Sequence, residues 1–294
     1  MGSIAIGTSG WSYRGWKGSF YPDDLPRRRQ LDHVTSSFDT VELNRTFYSL
    51  TSSATCRRWR DAAPPGFLFA VKGSRFITHN KKLADAGTAL ANFFASGVLE
   101  LDDHLGPFLW QLPPAQQTDP ERLEPFLAAL PRDIRSARLL ARAHDDRVSD
   151  PGFGSADDSM RLRHSIEFRN PASLNRDVVE VLRRHRVALA FSHSTAWPYT
   201  EEITADFVYL RLHGPEALYD SAYGEEALKG WVERILAWSR GDEPEDAHRI
   251  TDWPPPPAGS RDVFVYFDND GHAHAPHDAL ALRRLVHEAR QNSI

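Results

Sequence analysis

Eight short runs rich in β-branched and aromatic residues recur along the chain, each followed by a stretch of helical periodicity. This alternation restricts the fold more than any other feature. The runs are Ser3–Ser9, Thr40–Thr46, Phe67–Lys72, Pro107–Leu112, Ser165–Arg169, Val187–His193, Phe207–His213 and Asp262–Asp268. Strands alternating with helices make βαβ units and a parallel sheet, and eight of them are what a closed barrel requires. Helices are expected at Asp119–Leu130, Leu174–His185, Glu225–Arg240 and His277–Gln291, the clearest carrying Leu228, Trp231, Val232, Ile235 and Leu236 at helical spacing. The reading is an α/β chain forming a single (β/α)8 TIM barrel across residues 1–294. Residues 131–163 break the rhythm as an irregular insertion, a short strand or helix followed by a mobile loop. Pro254–Pro257 reads as a stiff connector. The first strand runs into Gly7-Thr8-Ser9-Gly10-Trp11, which lacks the helix-opening third glycine of a dinucleotide fingerprint.

The 294 residues are 41% hydrophobic and 26% charged, enough to bury a large core without cross-links. One cysteine, Cys56, excludes an internal disulfide and points to a reducing compartment. The N-terminus has no basic region ahead of an apolar run, and no apolar stretch reaches membrane-spanning length. The expectation is a soluble, cytoplasmic protein with no membrane partner. A formal net charge of −5 gives no global attraction to nucleic acid, so an anionic partner needs a local basic patch.

Strand residues alternate faces. Where Val41 and Leu43 face the helices, Glu42 and Asn44 turn inward. The same rule turns Lys72, Gln111, Glu167 with Arg169, Arg211 with His213, and Tyr266 with Asp268 inward near the carboxyl ends of their strands. Barrel interiors are normally filled with Val, Ile and Leu, and active sites sit at the carboxyl-end face. Buried charges must pair or meet a ligand. One reading is therefore a layer of ion pairs, Glu42 with Lys72 and Glu167 with Arg169 or Arg211. The other is a pocket.

Loops after the strands add to that face: Trp11, Tyr13, Arg14, Trp16 and Lys17, then Phe47 and Tyr48, then Arg75, Thr78 and His79, then Tyr219 and Tyr223, with Asn269 after the last strand. Aromatic faces and cations are what a stacked base, a sugar or a phosphate needs. The cations outnumber Glu42, Glu167 and Asp268, so the pocket is expected to favour an anion. Trp11, Tyr13, Asn44, Tyr48, His79, Gln111, Arg169, Arg211, Tyr223 and Asn269 are the expected binding residues. Glu42, Lys72, Glu167, His213 and Asp268 are the expected catalytic set.

The motifs Ile6-Gly7-Thr8-Ser9-Gly10-Trp11-Ser12-Tyr13, Val41-Glu42-Leu43-Asn44-Arg45-Thr46-Phe47-Tyr48 and Phe69-Ala70-Val71-Lys72 recur in a known family. So do Gln111-Leu112-Pro113, Glu167-Phe168-Arg169, Arg211-Leu212-His213-Gly214 and Tyr266-Phe267-Asp268-Asn269. Together, in this order, the chain resembles the YecE-like proteins, domain of unknown function seventy-two. The resemblance implies a TIM barrel and supplies no established reaction. One departure is Ser173-Leu174, where the resemblance calls for a Ser-Trp pair in the pocket wall.

Several functions fit these residues. An enzyme acting on a phosphate- or carboxylate-bearing substrate, nucleic acid included, would clamp it with Lys72, Arg169 and Arg211. Glu42 or Glu167 would serve as base and His79 or His213 as proton carrier. A sensor binding a small anion or nucleic-acid end without turnover is the alternative. Metal-dependent hydrolysis would draw on His79, His213, Glu42, Glu167 and Asp268, though neighbouring cations oppose a metal ion. His272, His274 and His277 read as a solvated loop. A retaining glycosidase needs two carboxylates about 5 Å apart, which strands two and five do not offer. A Schiff base at Lys72 competes with its pairing to Glu42. No tightly held cofactor is expected.

Overall fold

The computed structural model describes residues 1–292. Nine strands and nine α-helices alternate along them: β1 (Ile4–Ser9), α1 (Gln30–Ser37), β2 (Thr40–Leu43), α2 (Arg45–Tyr48), α3 (Ser53–Asp61), β3 (Leu68–Lys72), α4 (Gly87–Ala95), β4 (Leu105–Gln111), α5 (Pro120–Ala129), α6 (Ile134–Ala141), β5 (His164–Glu167), α7 (Arg176–Arg184), β6 (Ala188–Leu189), β7 (Phe191–His193), β8 (Phe207–Leu212), α8 (Glu225–Ser239), β9 (Asp262–Phe267) and α9 (His274–Gln291). All eight expected strands form. The sixth is split at Ala190, where the Leu189 amide donates to Thr204 Oγ1 at 2.7 Å and leaves the ladder. The second ends early because Thr46 turns into α2, its hydroxyl donating to the carbonyls of Leu43 at 2.9 Å and Lys72 at 2.7 Å.

Contacts group the chain into two compact units, Glu42–Val187 and Met1–Val41 with Ala188–Ile294. In the first unit, β4 pairs in parallel with β3 and with β5, in a register that sets Lys72 beside Leu109 and Gln111 beside Glu167. In the second, β9 pairs in parallel with β1 and β8, and β8 with β7, setting Arg211 beside Tyr266. Parallel pairing with a helix between successive strands buries both faces of each strand. Phe69, Val71, Phe108 and Trp110 are accordingly buried in one unit, and Ile6, Leu210, Val265 and Phe267 in the other. This is the α/β fold of the (β/α)8-barrel type.

Two glycines are set by close approach. A Cβ at Gly7 would lie 1.8 Å from the Thr40 carbonyl oxygen, and one at Gly73 would lie 2.2 Å from Trp110. Helix starts follow their caps. Asp119 accepts from the Arg122 amide ahead of Pro120, and Asn175 accepts from the Val178 amide.

The 131–163 stretch holds one short helix and is otherwise irregular. It contains α6, opened by a reciprocal cap between Asp133 and Ser136. The segment after α6 is fastened rather than loose. Arg138 donates to the carbonyls of Phe153 at 2.9 Å, Gly154 at 3.0 Å and Ala156 at 2.9 Å. Asp102 accepts from the amides of Ser155 and Ala156 and from Arg60 Nη1. Burial alone would raise the Asp102 pKa, but these bonds together hold it below the usual carboxylate range. Among the described residues, no helix is long and apolar enough to cross a membrane.

Candidate functional site

Glu42, Asn44, Tyr48, Lys72, His79, Gln111, Glu167 and Arg169 all fall in the unit Glu42–Val187. Strand ends place four of them. Glu42 on β2, Lys72 on β3, Gln111 on β4 and Glu167 on β5 are all buried. Glu167 is fully buried, and its Oε1 accepts from Arg169 Nε at 2.7 Å. This is one of the two arginine pairings open to it on the sequence reading. The Lys72 ammonium sits 4.8 Å from the centre of the Phe47 ring, a cation–π contact that fixes the long side chain. Phe47 therefore serves this cluster while being buried itself.

His79 lies on a wide helical turn over Phe76–Asn80, closed by the Lys81 amide on the Phe76 carbonyl at 2.9 Å. Such turns concentrate at functional sites. Its ring meets Phe47 edge-on at 5.2 Å, and its Nδ1 is 2.9 Å from Thr78 Oγ1. Burial lowers the His79 pKa below the ordinary imidazole value, and the charges of Lys72, Arg75 and Arg169 lower it further. These effects favour the neutral imidazole, and the ring is half-buried. Three cations thus bear on this one ring. Asn44 is half-buried just ahead of α2, and Tyr48 is 69% exposed, the most solvent-facing aromatic of the expected set.

Trp11, Tyr13, Arg211, His213, Tyr223, Asp268 and Asn269 belong to the other unit. Arg211, fully buried, donates through Nη2 to Asp268 Oδ2 at 2.9 Å and to Ser9 Oγ at 3.2 Å. Its Nη1 is 3.3 Å from His213 Nε2. A guanidinium only donates, so Nε2 accepts and the neutral ring carries its proton on Nδ1. That nitrogen lies 3.1 Å from Asp268 Oδ2. Arg211 is consequently held by three side chains of its own unit. Arg211, Asp268, His213 and Ser9 thus form one polar cluster within this unit.

Two further expectations change here. Tyr223, expected at a rim, is 4% exposed, its hydroxyl 2.7 Å from His193 Nδ1. Asn269 is fully buried and donates to the Ser221 carbonyl and to Asp278 Oδ2, each at 2.8 Å. Both fasten the 213–223 loop to the start of α9, since Asp278 also accepts from the Tyr223 amide at 2.9 Å. Burial raises the Asp278 pKa. Trp11 and Tyr13 are half-buried, with the Tyr13 hydroxyl donating to the Ser9 carbonyl at 2.5 Å and the Trp11 carbonyl accepting from Tyr21. Trp16 is fully buried among Tyr13, Phe20 and Tyr21, a core residue rather than a rim one. Leu174 stands half-buried after Ser173, whose hydroxyl takes the Thr118 amide at 2.8 Å.

Residues outside the expected set also carry polar structure. Glu201 and Glu202 are fully buried. Glu201 takes Arg234 Nη1 through both oxygens, at 2.8 and 2.7 Å, and Glu202 accepts from the amides of Ile250 and Thr251 at 2.9 and 3.0 Å. His193 escaped the alternation rule because it shares a face with Phe191, both rings packing on α8 through Trp231 and Trp238. Cys56 is buried, which pushes its thiol up to about 12 and leaves it unreactive. Among the described residues, no three His, Cys, Asp or Glu side chains gather so as to hold a metal ion. His272 is exposed, 3.7 Å from Asp220, with its ring 6.0 Å from that of His274.

Residues 5–293 match the family model described as a protein of unknown function, DUF72. The UPF0759 protein YunF of Bacillus subtilis (strain 168) is 30% identical over 79 residues, which is 27% of this chain and 27% of that protein. The alignment therefore spans about a quarter of that curated relative. Among solved structures, a DUF72 family protein of Thermotoga maritima MSB8 has a TM-score of 0.69 at 23% identity, covering 97% of this chain and 99% of its own. A DUF72 family protein of Enterococcus faecalis V583 gives 0.68 at 17% identity, covering 97% and 95%. At these identities the two structures bear on the fold alone. With the family model matched over nearly its whole length, the chain belongs to the DUF72 family.

Proposed function

We propose that this protein is an enzyme that binds an anionic, phosphate- or carboxylate-bearing substrate at Lys72, Arg75 and Arg169, and moves a proton through His79. The observation that carries this reading is the geometry of the cluster: the Lys72 ammonium lies 4.8 Å from the Phe47 ring, which the His79 ring meets edge-on at 5.2 Å, while burial and the charges of Lys72, Arg75 and Arg169 favour the neutral imidazole. A neutral imidazole is a competent general base at pH 7. An anion seated among the same cations would offset their charge and raise the ring's pKa, so the protonated imidazole could then serve as acid. Glu167 acts on this reading as a positioning residue, since its bond to Arg169 orients the guanidinium. Glu42, buried on the neighbouring strand, is the second carboxylate of the set. No cofactor is required by these roles.

A thermal-shift screen over phosphates, sugar phosphates, nucleotides, short oligonucleotides and divalent metal ions tests the proposal. Ligands that bind the folded state raise its melting temperature. A shift with one anionic class that vanishes in Lys72→Ala supports it. A shift with metal ions alone, or silence across the anions, counts against it. If the anion binds but no conversion of it follows, the sensor reading takes precedence.

A further inference from the structure

The amino end of β1 borders a hollow of about 410 Å³ that the site above does not use. Ile4 and Ile6 line it, and Ser9, which meets Arg211, lies at the strand's other end, about 16 Å away at the rise of a β-strand. In barrels of this type the amino-end face serves stability and the chemistry sits opposite. A shaped, charged hollow at this end is therefore unexplained by catalysis.

Its second wall is α9. Ala275, Ala279, Leu282 and Val286 recur at helical spacing and are buried. The neighbouring stripe carries Arg283, His287 and Arg290 at i, i+4 and i+7, with Arg284 beside it, and all four line the hollow. Only one carboxylate, Asp39, lines it with them. Asp39 is engaged by Arg283, whose Nε lies 3.1 Å from each of its oxygens. Arg284 leans along the helix to Glu288 at 3.2 Å. Three guanidinium groups and an imidazole thus line the hollow with one acid, Asp39, and its accessible apolar surface comes from Ile4 and Leu280. An excess of cations around a concave apolar floor suits a ligand that brings both an anionic head and a hydrocarbon body.

We infer that this hollow is a binding site for an amphipathic organic phosphate. The head group lies between Arg284, His287 and Arg290, and the apolar body rests on Ile4 and Leu280. The inference is independent of the proposed reaction, because none of these residues belongs to the Lys72–His79 cluster.

Isothermal titration at low salt with hexyl phosphate, inorganic phosphate and hexanol tests it, on the natural protein and on Arg290→Gln and Arg284→Gln. Hexyl phosphate is expected to bind at least tenfold more tightly than inorganic phosphate, with hexanol giving no heat. Each variant is expected to weaken hexyl phosphate binding at least fivefold while its melting temperature without ligand stays unchanged. Equal affinity for hexyl and inorganic phosphate would overturn the amphipathic assignment. Unchanged affinity in both variants, or no binding at all, would overturn the site.

Discussion

Trp110 donates its indole N–H to Nδ1 of His164 at 3.2 Å, inside a core that buries both side chains completely. The other ring nitrogen lies 2.7 Å from the Pro131 carbonyl, so Nε2 bears the proton and the ring is a neutral bridge between two strands and the turn before α6. Burial pushes the His164 pKa down to about 3. In the unfolded chain the same histidine titrates near 6.5. Between those values the unfolded state holds one more proton, so stability falls as pH falls, by up to about 1.4 kcal/mol per pH unit. The contribution is fully present above 6.5 and is lost on the way down to about 3. His79 acts in the same direction with its own depressed pKa. Urea unfolding at pH 7, 6 and 5 is expected to show this decline. His164→Gln, which keeps a donor and an acceptor but does not titrate, is expected to flatten it.

The Arg211 cluster makes the second prediction. Asp268 neutralises a guanidinium that is wholly removed from water and also faces His213. Removing one partner of a buried ion pair leaves an uncompensated charge, at a cost of about 3 to 5 kcal/mol. Asp268→Ala is expected to lower the free energy of unfolding by that amount. A loss below about 1 kcal/mol would mean that Arg211 finds water or another partner, and that the cluster is looser than described.

Gly73 supplies the third. Its missing side chain admits the face of Trp110, and a Cβ there would lie 2.2 Å from the indole. The indole is anchored to His164 and packed on Phe126, so it has little room to give. Gly73→Ala is expected to destabilise by about 1 to 3 kcal/mol through overpacking. Gly87→Ala is the control, since nothing lies near that position and it opens α4. It should gain up to about 1 kcal/mol, because alanine restricts the unfolded chain.

The strands were readable because their chemistry is local. Runs such as Phe207–Leu212 and Asp262–Phe267 are apolar on both faces, as a covered parallel sheet requires. The break at Ala190 was not readable, since it depends on a hydroxyl fifteen positions away in the chain, at Thr204. The alternation rule found Glu42, Lys72, Gln111, Glu167 and Arg211 as buried polar groups, because it needs only the period of the strand. It could not tell a free cation from a matched one. Arg211 is bound by Ser9, over two hundred positions away, and by Asp268, partners that only the fold supplies. Tyr223 and Asn269 carry no sign of burial in their own neighbourhood, and the Asp278 carboxylate that holds them lies in α9. The fastening of residues 153–156 was hidden for the same reason, resting on Asp102 and Arg138.

On the proposed function, His79 is a neutral proton carrier whose basicity an anion controls. NMR titration of its ring, assigned by His79→Gln, tests this directly in the absence and presence of saturating sulfate, a tetrahedral dianion that does not itself titrate in this range. A pKa below 6.5 is expected in the free protein, with a rise when sulfate binds and no rise in Arg169→Ala. A free His79 that titrates at or above 6.5, or one that sulfate binding leaves unmoved, would contradict it.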